Sequence, residues 1–75
     1  MNKELFNLAI ERASKEVLSF INDGYTLVFS VQFPEQETAY IKLRHLRNGN
    51  RLKIRVLGDS FEVYVNDKLT KKETC

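Results

Sequence analysis

The side chains most capable of chemistry in this chain are cations. Between Tyr40 and Val56 stand Lys42, Arg44, Arg47, Arg51, Lys53 and Arg55, with no carboxylate among them. Clustered lysine and arginine suit a phosphate backbone, because they displace its condensed counterions. Tyr40 opens this run and Tyr64 follows it, and tyrosine rings beside cations offer stacking platforms for unpaired bases. These eight residues form the candidate binding set, with single-stranded nucleic acid as the first candidate partner. Tyrosine and arginine are also the types enriched at protein-binding hot spots. A protein-interaction module, inhibitor or regulator is therefore the alternative. A merely solvated, charge-protected sheet face accounts for the same residues with no partner at all.

Groups for catalysis are scarcer. His45 is the one histidine, and the alternation around it sends it inward, near Tyr25 and Leu52. No Ser or Cys nucleophile pairs with it in the sequence. Asp23, Asp59 and Asp67 fall at predicted turns, where aspartate serves local hydrogen bonding. Zinc and calcium ligand spacings are absent, and the three glycines are isolated turn residues rather than a phosphate-binding loop. Cys75 is the single cysteine, so an intramolecular disulfide is impossible. Neither an enzyme nor a cofactor is expected.

The elements that would position the cations are legible from periodicity. Phe6, Ala9, Ile10, Ala13, Val17, Phe20 and Ile21 share one helical stripe about 120° wide, predicting an amphipathic helix over residues 3–22. Asn2 is the predicted N-cap, and Asn22-Asp23-Gly24 predicts the stop, with glycine in the left-handed position. The period then becomes two. Tyr25, Leu27, Phe29, Val31 and Phe33 predict one apolar strand face, and Pro34 ends that strand. Ala39, Ile41, Leu43 and His45 define a second strand, Leu52, Ile54 and Val56 a third, and Phe61, Val63 and Val65 a fourth. The expected fold is α+β, one N-terminal helix packed on a four-stranded antiparallel meander in two layers. Residues 1–66 would form a single domain, and residues 67–75, lacking apolar period, a frayed tail.

Turn chemistry adds a register. A two-residue turn at Asn48-Gly49 sets Lys42 opposite Arg55 and Arg44 opposite Lys53. Gly58-Asp59 sets Ile54 opposite Val63 and Val56 opposite Phe61. A three-residue first loop sets Phe29 beside Ile41 and Leu27 beside Leu43. The outer face then gathers Lys42, Arg44, Lys53 and Arg55 with Tyr40 and Tyr64. The predicted core is Phe6, Ile10, Ala13, Val17, Phe20, Ile21, Leu27, Phe29, Val31, Ile41, Leu43, Leu52, Ile54, Val56, Phe61, Val63 and Val65.

Length and composition bound the rest. Seventy-five residues, 43% apolar and 29% charged, suit one small folded domain. The net charge of +2 is too small to argue for nucleic acid by itself. No apolar run is long enough to span a membrane, and the N-terminus lacks a signal-peptide pattern. The expected setting is the cytoplasm, and the expected state a monomer or a weak homodimer through an edge strand.

Overall fold

In the computed structural model, which describes residues 3–75, the helical period becomes α1, Lys3–Asn22. Asn2, the predicted cap, lies outside the described residues. The stripe is used unevenly. Phe6, Ala9 and Ala13 are buried, and Ile10, Val17 and Phe20 pack around them. Ile21, expected in the core, stays 42% exposed on the last turn. The helix stops as its residues require. Asp23 N–H donates to the carbonyls of Ser19 and Phe20, and Gly24, at φ +101°, donates to Ile21.

Five strands follow: β1 (Tyr25–Phe33), β2 (Thr38–His45), β3 (Arg51–Leu57), β4 (Ser60–Val65) and β5 (Lys68–Thr74). They form one antiparallel sheet in the order β1-β2-β3-β4-β5. The four-strand expectation is therefore corrected to five. The stretch expected to fray pairs with β4, turning at Asn66 and Asp67, both at positive φ (49° and 70°). Asparagine and aspartate tolerate that region, and a two-residue turn of this hand suits the twist of paired strands.

Apolar alternation failed to flag β5 because its inward side chains are charged. Lys71 and Glu73 lie opposite Val63 and Phe61 and reach the helix instead of the core. Lys71 Nζ is 3.0 Å from Glu16 and 3.5 Å from Glu73, and Glu73 in turn is 3.4 Å from Arg12. Glu16 is the main reason the Lys71 ammonium is held above its ordinary pKa.

The buried centre is Ile41, Leu43, Leu52, Ile54, Val56, Phe61 and Val63 with Ala39, under Phe6, Ala9 and Ala13. Each large side chain taken fully from water contributes about 1.5–3 kcal/mol. Parity in β2, β3 and β4 follows the sequence reading, and the β3–β4 pairs Ile54 with Val63 and Val56 with Phe61 are as expected. Two registers differ. His45 and Asn50 close a four-residue loop, with Gly49 N–H donating to the His45 carbonyl and Gly49 alone left-handed. The β2–β3 pairing is thus offset by two residues from the Asn48-Gly49 expectation. Lys42 faces Lys53, Arg44 faces Arg51, and Tyr40 faces Arg55.

The other difference is in β1. Its loop holds Pro34–Gln36 and a left-handed Glu37, one residue more than expected, so Phe33 lies opposite Thr38. Parity is therefore inverted until a β-bulge between Leu27 and Phe29 restores it, and Leu27 faces Leu43 as predicted. Across the inverted stretch, Ser30 and Gln32 share a face with Ile41 and Ala39. Phe29 and Val31 share the opposite face with Lys42 and Tyr40. Phe29 and Val31 are thereby removed from the predicted core. Leu27 keeps its parity but is 50% exposed, lining an open hollow with Val17 and Leu18 of α1.

Candidate binding face

The side of the sheet away from the helix is built in rows across the strands. One row runs Phe29, Lys42, Lys53, Tyr64 and Leu69, and the next runs Val31, Tyr40, Arg55, Glu62 and Lys72. Thr26, Arg44 and Arg51 form a third row toward the four-residue loop, and Phe33, Thr38, Leu57, Ser60 and Thr74 a fourth at the other end.

Like charges facing one another across a strand pair are destabilising, and the two central lysines relieve this by leaning apart. Lys42 Nζ lies 5.7 Å from the centroid of the Phe29 ring, and Lys53 Nζ 4.9 Å from that of Tyr64. Cation–π contacts at such exposed sites are worth roughly 0.5–1 kcal/mol. The outward turn of Phe29, which apolar alternation alone would have buried, supplies one of the two rings.

Arg55 is committed elsewhere. Its Nε and Nη2 donate to Glu62 Oε1 at 3.0 and 2.7 Å, and the Tyr64 hydroxyl donates to the same oxygen at 3.1 Å. The Arg55 hydrogen bonds are the main reason the Glu62 carboxyl is held below its ordinary range, against a burial effect that opposes them. Desolvation, and then the bond to Glu62, raise the Tyr64 phenol. A carboxylate with a depressed pKa in the folded state stabilises above the unfolded value, about 4.3 for glutamate, and that contribution is lost as pH falls through the folded value. The advantage of the wild type over Glu62→Gln in urea unfolding is therefore expected at full size at neutral pH. It stays below about 1 kcal/mol, because Arg55 meets solvent, and shrinks steadily in acid. An advantage that grew on acidification would contradict this assignment.

Arg51 is likewise paired, with Asp67 at 3.1 Å, though both side chains are well exposed. The cations therefore do not form an unbroken patch. They surround a depression of about 320 Å³ lined by Val28, Lys42, Arg44, Arg51, Lys53, Tyr64 and Asp67, with Leu43 and Leu52 below. Tyr40 stands one row away beside Arg55. Arg47 is not brought to this face. It sits in the four-residue loop and lines a separate hollow with Asp23, Gly24 and His45.

Ring-to-ring contacts are also elsewhere. Among the described residues they are Phe20 with Tyr25 and Tyr25 with His45, with centroids 5.5 and 4.8 Å apart. The tyrosines of the open face stand singly. His45 is structural in its geometry. Its Nε2 lies 3.0 Å from the Asp23 carbonyl, and its Nδ1 accepts from Arg47 N–H and Asn48 N–H at 3.1 and 3.3 Å. Those partners require the proton on Nε2. Among the described residues no group of three or more His, Cys, Asp and Glu side chains is placed to hold a metal, and no helix is long and apolar enough to cross a membrane.

No family model, curated protein or solved structure matches the chain.

Proposed function

We propose that this is a non-catalytic binding protein whose open sheet face takes single-stranded nucleic acid. The observation that carries the reading is the depression between β2 and β3, where Lys42, Arg44, Arg51 and Lys53 converge beside the Tyr64 ring over an apolar floor. A phosphate needs clustered donors, and an unpaired base needs a ring or an apolar wall beside them. The rows offer both within one strand spacing, with Phe29 and Tyr64 flanking the two central lysines. Tyr40, on the adjoining row, extends the strip toward Leu57. Arg55 orients Glu62 and Tyr64 rather than meeting phosphate.

Three phosphate contacts, from Lys42, Arg44 and Lys53, with Arg51 held by Asp67, predict a salt slope near −2 for a single strand, at about −0.7 per neutralised phosphate. Fluorescence titration with short unstructured DNA and RNA oligonucleotides is expected to show that dependence. The double variant Lys42→Glu with Lys53→Glu should weaken binding by at least about tenfold, roughly 1.4 kcal/mol, and flatten the slope. Affinity indifferent to both salt and charge reversal would defeat the proposal.

A protein partner is favoured by one separate observation. Phe33 and Leu57, on the row furthest from the depression, are 44% and 53% exposed. A partner lost on Leu57→Ala and retained after nuclease treatment would select that reading.

A further inference from the structure

The two edges of the sheet are chemically unlike. β5 presents Lys68, Lys71, Lys72 and Glu73 and carries a bulge opposite Val63 and Tyr64. Charges and bulges of this kind protect an edge from pairing with another strand. β1, the opposite edge, is nine residues long and contains no charged side chain. An edge of that length and composition is a template for a further strand.

The geometry also specifies which strand. The regular part of the β1 edge is bounded by the bulge at Leu27/Phe29 and by Pro34, leaving Phe29–Phe33. The midpoint of that stretch is Val31. We infer that a second copy of this chain pairs antiparallel with β1 about a two-fold axis at Val31, joining two five-stranded sheets into one.

The register matches like with like on both faces. On the outer face Phe29 lies opposite the partner's Phe33, and Val31 opposite the partner's Val31. On the inner face Ser30 lies opposite the partner's Gln32, so hydroxyl and amide meet across the ladder. A two-fold contact is isologous, and any charge near the axis would face its own copy. β1 contains none. A slip by one residue would set Phe29 or Phe33 opposite Ser or Gln and lose the match on both faces, which is what fixes a register. The inversion of parity in β1 is what turns these three apolar residues to the outer face, away from the helix. The inference stands apart from nucleic-acid binding, since it uses the strand edge and no cation of the depression.

The test is sedimentation of the full chain with reductant present, which removes any cross-link through Cys75. A concentration-dependent monomer–dimer equilibrium is expected. Val31→Lys, which sets two ammonium groups against each other at the axis, should weaken the dimer by at least about tenfold, since like charges directly opposite repel, with the thermal melt at low concentration little changed. Cross-linking provides a readout that needs no loss of stability. In a Cys75→Ser background, Val31→Cys should oxidise to a covalent dimer, because residues facing each other in an antiparallel pair fall within disulfide reach. Gln32→Cys, displaced from its own copy, should not. A chain that stays monomeric across the concentration range would overturn the inference. So would a dimer untouched by Val31→Lys, or one that cross-links equally through position 32.

Discussion

Replacing Gly24 by alanine is expected to lower stability by about 3–5 kcal/mol, a large fraction of what a domain of this size possesses. Two costs add. Gly24 has φ +101°, a backbone region that side chains other than glycine adopt only at about 1–3 kcal/mol. A Cβ there would also stand 2.9 Å from His45 Nε2. The imidazole has no easy retreat, because its Nε2 is bonded to the Asp23 carbonyl and its Nδ1 to two backbone N–H groups. Moving it strands polar groups, at about 1–3 kcal/mol each where they are shielded from water. Gly49→Ala is the control. Gly49 is also left-handed, at φ +72°, but a Cβ there meets nothing within 4 Å. Only backbone strain, about 1–2 kcal/mol, remains. Since 1 kcal/mol moves the midpoint of a domain this small by roughly 4–8 °C, thermal melts should separate the two variants by 10 °C or more on that scale. Equal shifts would mean that His45 moves aside freely.

Removing residues 67–75 is expected to leave a chain without a cooperative melt at 25 °C. The deletion takes away the whole of β5 and with it the six residue pairs to β4. It also removes the Lys71–Glu16 and Arg12–Glu73 ion pairs and Cys75, which packs against the core. β4 would become an edge, with Phe61 and Val63 losing their neighbours on one side. Backbone hydrogen bonds are worth about 1 kcal/mol each net, so a ladder of this length is comparable to the entire stability of a small domain. Far-UV circular dichroism and proton-amide NMR dispersion of the truncated chain would check this. A melt close to that of the full chain would make β5 an appendage.

The parts of this fold that could be read from sequence are those where one rule operates alone. The α1 stripe, the glycine stop at residue 24 and the alternation of β2, β3 and β4 all rest on burial against a single opposing layer. The β3–β4 register was legible because Gly58-Asp59 is a short turn with one outcome. Asn48-Gly49 was misleading because the same dipeptide also serves a longer loop in which only the glycine is left-handed. That choice depends on what holds the loop, and it is held by the His45 ring, whose role is set by tertiary contacts. Parity in β1 was hidden more deeply. Apolar residues at 29, 31 and 33 give the same alternation whichever face they meet, and only the added loop residue and the compensating bulge decide.

β5 was missed for the opposite reason. Its inner positions are filled by ion-pairing residues, so apolar alternation carried no signal, although Asn66-Asp67 was a usable turn cue. For the candidate face, Lys42, Arg44, Arg51, Lys53 and Tyr64 converge as their parity implied. Arg47 does not, and Arg55 is occupied by Glu62, a partner visible in sequence only once the register is known. Tyr40 stands one row off, and Phe29 joins the face through the added loop residue, before the bulge restores parity at Leu27.

The Lys71–Glu16 and Arg12–Glu73 pairs join the first element to the last, 55 and 61 residues apart. Such distant contacts are the kind that slow folding, because the intervening chain must be closed before they form. For a chain still being synthesised the order is stricter. While residues 67–75 remain inside the ribosome, α1 has no β5 to meet and β4 is left as an open edge. The sheet is thus completed only once β5 has emerged to pair with β4. Until then the unfinished sheet passes through the interval in which a nascent chain is most open to chaperones and to aggregation.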